Sequence, residues 1–246
     1  MKVSAMNAAA MNASATNSAL LEALAGIPGM ASGRRLVVVW GQLGDFDSVE
    51  YAQALVPVLP QLAQGGIGLH AFAIGSTAGR ERFCSYTGFP PERLTVLPGN
   101  QLHQSLDLYG GLATAAGPWP NLLLMCAGIG SPGTLAEVLR GYTGDRRAPA
   151  RLHWPLFRLA GPETSLRPFE LATVRLRNML EVLGHWRTYV PADHHLTQRG
   201  GTFLLEADNT LTEVHRDRGI LGFSATMHRP LQFLEPLLTN TNPASA

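Results

Sequence analysis

The first half of the chain sets short apolar runs against polar, glycine-rich or proline-containing breaks. Arg35–Trp40 carries a run rich in β-branched residues and predicts a buried strand. Ile67–Ile74 predicts a second strand, and "RLTVLPG" a third. Helical patterns fall between them. Asp47 with Glu50 three residues on has capping-box spacing, and predicts a helix to about Ala63 with kinks at Pro57 and Pro60. Arg80–Tyr86 predicts a short helix closed by Gly88 and Pro90-Pro91. Gln101–Tyr109 predicts another, closed by Gly110-Gly111.

The stretch 112–165 is less regular and rich in Gly and Pro. Leu166–Leu183 predicts a longer helix, and "GGTFLLEADNTLTEVHRDRG" a hairpin turning at Asp208-Asn209. Met227–Leu238 predicts the last helix, with Pro230 near its start. Alternating strands and helices imply βαβ units and a mostly parallel sheet. The ββα ending turns this α/β pattern toward a thioredoxin-like fold, one domain over 34–238 with a helical insertion at about 112–196. Residues 1–33, rich in Ala, Asn and Ser, read as a disordered arm with a short helix near Ser18–Ala25. The tail "TNTNPASA", 239–246, reads as disordered.

Composition narrows the function classes. The chain has 246 residues, 46% hydrophobic and 15% charged, which suits a packed core. Its formal net charge of +1 gives no electrostatic footprint for nucleic acid. No segment reaches the ~20 apolar residues of a bilayer span, so no membrane is expected. The start reads neither as a secretory signal nor as an arginine-rich transit peptide. The two cysteines, Cys84 and Cys126, lie far apart, which argues against a disulfide scaffold or cysteine zinc site and for a reducing compartment.

The order of motifs carries a resemblance. A strand, a Gly-rich turn, "EYAQAL", a strand ending "IGS", "ERFCSYTGFP", a further strand and a short helix ending Tyr-Gly-Gly follow one another, and "RGGTF" and "HRDR" come later. This resembles the peroxiredoxin-like branch of the AhpC/TSA (alkyl hydroperoxide reductase/thiol-specific antioxidant) superfamily, over roughly Arg34 to Leu238. It is most similar to cyanobacterial and chloroplast versions, which implies a photosynthetic source and a cytoplasmic or stromal location. The family's cysteine thiolate sits at the first turn of the helix after strand one, attacks peroxide, and is later resolved by another thiol. Aligned with a Cys-x-x-Cys turn, this chain has Asp45 at the first position and Ser48 at the second. Neither residue replaces a thiol, so the resemblance implies an AhpC/TSA-like protein without thiol peroxidase chemistry. The expected role is binding an unknown protein partner or small ligand. No cofactor or metal is expected, and a homodimer is in keeping with the family.

The degenerate turn then comprises Asp45, Asp47 and Ser48, faced by Arg199, Gly200, Gly201 and Thr202. Asp47 can be a plain N-cap and Asp45 a turn residue, or both can serve a ligand. Arg199 can pair with Asp45, hold an anion, or sit on the surface, and the two glycines permit close backbone approach. Cys84 is the alternative nucleophile, a single redox centre if Arg80 and Arg82 lower its pKa; otherwise it is a small buried hydrophobe. Cys126, in "LLLMCAG", reads as packed. Gly128-x-Gly130-x-x-Gly133 has dinucleotide-fingerprint spacing, but Pro132 interrupts it and no acidic strand end follows. His194-His195 beside Asp193 is a weak metal pattern, His215-Arg216-Asp217 lacks every companion kinase motif, and "GHWRTYVP" reads as packing at a helix end.

Overall fold

Strand β1, Arg34–Gln42, is apolar from Leu36 to Trp40 because it is covered on both faces there. Leu36, Val38 and Trp40 point into one core and Val37 and Val39 into the other, the period-two alternation of a strand. The computed structural model describes residues 2–113, 115–143, 167–219 and 231–239. Five strands form one mixed sheet in the order β3-β2-β1-β4-β5. β2 (Ile67–Ile74) is parallel to β1, and β3 (Leu94–Leu97) is parallel to β2. β4 (Gly201–Leu205) is antiparallel to β1, with Val37 opposite Phe203, and β5 (Leu211–Arg216) completes the hairpin. Asn209 takes a left-handed φ of 69° in its turn, as the sequence leads one to expect. Mixed sheet and flanking helices make this an α/β, thioredoxin-like fold.

Helices cover the first face. α2 (Phe46–Leu55) passes through a 3₁₀ turn at Val56–Val58 into α3 (Leu59–Gln64), the break falling at Pro57 and Pro60. α4 (Thr77–Thr87) is capped by Ser76 and stopped by Gly88 at φ 77°. α5 is shorter than the sequence pattern, only Gln101–Ser105, because the chain leaves the helix to bury Leu106 and Leu108.

The expectation of a disordered N-terminal arm is corrected. Lys2–Leu24 is a helix, α1, and its Leu20 and Leu24, with Met30 beyond it, pack with Val37, Val39, Phe72 and Phe203. With α5 it covers that sheet face and supplies burial that the Ala-rich sequence does not advertise. Arg35, 1% exposed, locks the same end by donating to Gly33 O and Glu206 O at 2.9 and 3.0 Å.

In the insertion, α6 (Pro118–Cys126) and α7 (Thr134–Thr143) precede α8 (Arg167–Gly184) and the one-turn α9 (Trp186–Tyr189). The Gly128–Gly133 loop therefore follows a helix, not the strand a dinucleotide site requires. The C-terminal helix is short: a 3₁₀ turn at Gln232–Leu234, then α10, Glu235–Thr239. The expected start of that helix, 227–230, and the tail from 240 lie outside the described residues.

Candidate functional site

The turn after β1 is built around Asp45. Its backbone is extended (φ −73°, ψ 124°), and its carboxylate accepts from Ser48 N at 3.3 Å and Ser48 Oγ at 3.0 Å. Asp45, not Asp47, is therefore the N-cap of α2, which corrects the capping-box reading. Glu50 does not reach back to the cap either. Its carboxylate accepts from Arg175 Nη2 on α8, in an ion pair whose side chains are 4% and 2% exposed.

Arg199 reaches the turn from the loop before β4. Its guanidinium donates to Asp45 Oδ1 at 3.3 Å through both Nη1 and Nη2, and Nη1 lies 3.6 Å from Asp47 Oδ2. The loop is held from outside by Tyr109-Gly110-Gly111. Tyr109 O accepts from Arg199 N at 2.7 Å, and Gly110 O from Thr197 Oγ1 at 2.8 Å. Gly200 is needed for close approach: a Cβ there would stand 2.2 Å from Val39 O. Thr202, one residue into β4, shares a 2.8 Å hydrogen bond with Tyr51 OH of α2.

The cluster is crowded with acid. Burial pushes the Asp47 carboxyl well above its usual range and Asp45 adds to the rise, while Arg199 and Arg175 oppose it. Burial likewise raises Asp217, against the pull of His215, whose Nε2 is 2.9 Å away, and of Arg199. Burial would lower Arg199, but Asp45, Asp47 and Asp217 outweigh it and leave the guanidinium above its ordinary value. The space enclosed by Asp45, Asp47, Tyr51, Arg199 and Asp217 is only about 10 Å³. That is at the lower limit for one water molecule.

Comparison with family models matches residues 54–219 to the AhpC/TSA antioxidant enzyme family. The chain belongs to this family. The match begins inside α2, after Asp45 and Ser48, and runs through the β4–β5 hairpin. No curated protein and no solved structure matches the chain.

Neither cysteine of this AhpC/TSA-family chain stands at the α2 turn. Cys84 is 6% exposed on α4, and burial pushes its thiol up to about 11. Arg80 opposes that rise without reversing it, and Glu92 adds to it. Arg82 is committed elsewhere, in a two-pronged pair with Glu181 at 2.6 and 3.1 Å. Cys126 corrects the sequence reading of a packed residue. It is half-buried in the wall of a cavity of about 310 Å³ that opens on the other side of Asp45. Burial raises its thiol too, with Arg199 and Asp47 close enough to act on it.

That cavity was not legible in the sequence. Trp119 and Trp186 stack against each other in its wall at 5.6 Å, so part of "GHWRTYVP" lines a cavity rather than only packing a helix end. Arg175 belongs to the buried stripe of α8 with Asn178 and Val182, spaced i, i+3, i+7. Asn178 and Gln53 of α2 exchange amide hydrogen bonds at 3.0 Å, which pins α8 to α2. Charged and amide residues on an otherwise apolar stripe were the available signal. His194 and His195 lie in a 3₁₀ turn with rings 3.9 Å apart, and no group of three metal-competent residues occurs among the described residues. No helix among the described residues is long and apolar enough to cross a membrane.

Proposed function

We propose that this AhpC/TSA-family protein has lost thiol peroxidase activity and acts by binding a small ligand or a partner beside the α2 turn. The observation that carries this reading is the buried Asp45–Arg199 pair at the helix N-terminus where the family's thiolate would act. The cation that would lower a thiol's pKa there is held between two carboxylates instead. A carboxylate is a poor nucleophile toward peroxide oxygen, and the Ser48 hydroxyl donates to Asp45. The exposed Leu135, Leu176 and Leu180 on α7 and α8 suit contact with a partner. Two free cysteines suit a reducing compartment, the cytoplasm or a chloroplast stroma.

The competing assignment, a single-cysteine antioxidant at Cys84, needs a thiolate. A thiol near 11 is ionised in roughly one molecule in ten thousand at pH 7. The test is peroxide consumption with a thiol reductant, together with dimedone labelling after peroxide, in the wild type and Cys84→Ser. No turnover and no label at Cys84 are expected. Turnover that disappears in Cys84→Ser would overturn the proposal.

A further inference from the structure

We infer that the outer face of α8 is where a second copy of this chain docks, antiparallel, about a two-fold axis at Leu180. The inference rests on the partner-binding reading above and names the partner. α8 is inverted in polarity. Its inner face carries Arg175, Asn178 and Val182, all buried, and it holds α2 through polar groups, Arg175 with Glu50 and Asn178 with Gln53. Its outer face carries Leu176, Leu180 and Leu183, which are 54%, 63% and 55% exposed. A helix on a protein surface ordinarily turns such residues the other way round. Among the described residues, the exposed large apolar side chains other than Val214 lie between Trp119 and Leu183. The chain therefore gathers its apolar surface on the insertion instead of scattering it.

The stripe and its flanks specify what covers it. Its spacing of four and then three residues is the seam by which one helix packs along another. On one flank Met179 and Trp186 line the cavity beside Asp45. On the other stand Arg177, which is exposed, and Gly184, where a side chain would meet open space. Gly184 ends α8, and the last carbonyls of a helix carry about half a negative charge. A copy of α8 laid antiparallel, with Leu180 facing its counterpart, sets Leu176 against the partner's Leu183. The same register brings Arg177 onto the partner's Gly184, a cation against a helix C-terminus, twice in the dimer by symmetry. A parallel copy would set Arg177 against the partner's Arg177. The face is thus complementary to itself in one orientation, as an isologous interface requires. Leu183 and Trp119 are exposed and also line the cavity, so they stand at its rim. The partner's Leu176, seated on Leu183, covers that rim, and each chain completes the other's cavity.

The experiment is sedimentation velocity of the full chain over a range of concentrations, for the wild type, Leu180→Glu, Leu180→Lys, an equimolar mixture of those two variants, and Arg177→Glu. The wild type should pass from monomer to dimer as concentration rises. Leu180 and Arg177 are exposed in the single chain, so the variants should keep the far-ultraviolet circular dichroism spectrum of the wild type. Leu180→Glu and Leu180→Lys should each dimerise at least about tenfold more weakly, because like charges meet on the axis, and their mixture should recover the dimer. Arg177→Glu should weaken the dimer at least about threefold by setting an anion on the partner's helix C-terminus. Cys126 lines the cavity and should be alkylated by monobromobimane more slowly in the wild-type dimer than in Leu180→Glu. A wild type monomeric up to about 100 µM, or a dimer indifferent to Leu180→Glu, would overturn the second copy as occupant. No recovery in the mixture would overturn the axis at Leu180, and a dimer indifferent to Arg177→Glu would overturn the antiparallel register. Equal alkylation of Cys126 in dimer and monomer would overturn the covering of the cavity. Peroxide turnover on the same preparation separates the two proposals. Turnover by a chain that dimerises in this way retires the lost-peroxidase reading alone, and a chain that neither dimerises nor turns over peroxide retires this one alone.

Discussion

Arg199→Met removes the guanidinium from the α2 turn and keeps most of its apolar stem. The Arg199 side chain is 3% exposed, and its partners Asp45 and Asp47 are 14% and 8% exposed. Water therefore cannot substitute for the lost cation. Removing one partner of a buried ion pair costs about 3–5 kcal/mol, because the other charge is left uncompensated. The hydrogen bonds from Arg199 to Thr197 O at 3.3 Å and Leu196 O at 3.4 Å go as well. With a urea m-value of about 2 kcal/mol/M, the unfolding midpoint should fall by about 1.5–2.5 M. The loss should depend on pH. Without Arg199 the Asp47 carboxyl is held further above its unfolded value, so the variant binds more protons folded than unfolded. Its stability then declines as pH rises from the carboxylate value of 3.8, and its deficit against wild type widens toward neutrality. Urea denaturation followed by circular dichroism, at acidic and neutral pH, reads both effects. A midpoint loss worth under about 1 kcal/mol, the same at both pH values, would refute the reasoning. Arg199 would then behave as a solvated surface cation.

Asp47→Asn should flatten the pH dependence in the wild-type background. The folded pKa of Asp47 is raised mainly by burial, so its contribution is complete below the unfolded value of 3.8 and is lost as pH rises through the folded one. Denaturation midpoints across pH check this, and an unaltered slope would contradict it. His103 works in the opposite direction. Burial lowers it to about 4 from 6.5, against the hydrogen bond with Trp40 O, so stability complete above 6.5 should be lost as pH falls toward 4. Its imidazole resonances should titrate near 4 by NMR, and a midpoint near 6.5 would exclude the buried neutral state. Gly200→Ala places a methyl 2.2 Å from Val39 O, backbone against backbone. It should cost about 1–3 kcal/mol, read by thermal denaturation, and a neutral effect would mean that the start of β4 gives way freely.

The local pattern was enough for the strands and the proline-broken helix, because alternation and ring geometry act within a few residues. Choices made at long range were not legible. Asp45 and Asp47 are both competent caps, and the residue type cannot say which one caps α2. The choice falls on Asp45, and Asp47 turns toward Arg199, 152 positions further along the chain. The pairing of Arg199 with Asp45 was readable only as one of three alternatives, since it depends on how the loop before β4 is clamped by Tyr109 and Gly110. α1 was hidden by its Ala, Asn and Ser content, which gives no clear apolar stripe before Leu20 and Leu24. The cavity draws its wall from β1, α2, α6, α7, α8, α9 and the loop before β4. No periodicity within any one of them could announce it.

The electrostatics of the turn bear on the binding proposal directly. A helix N-terminus offers unpaired N–H groups and about half a positive charge, and a guanidinium beside it makes a natural anion site. Here the chain supplies its own anions. Asp45 accepts the Ser48 N–H that would otherwise face a ligand, and Asp45 and Asp47 share the Arg199 charge. An incoming anion, thiolate or peroxide conjugate base alike, finds the positive field already neutralised and a space of about 10 Å³.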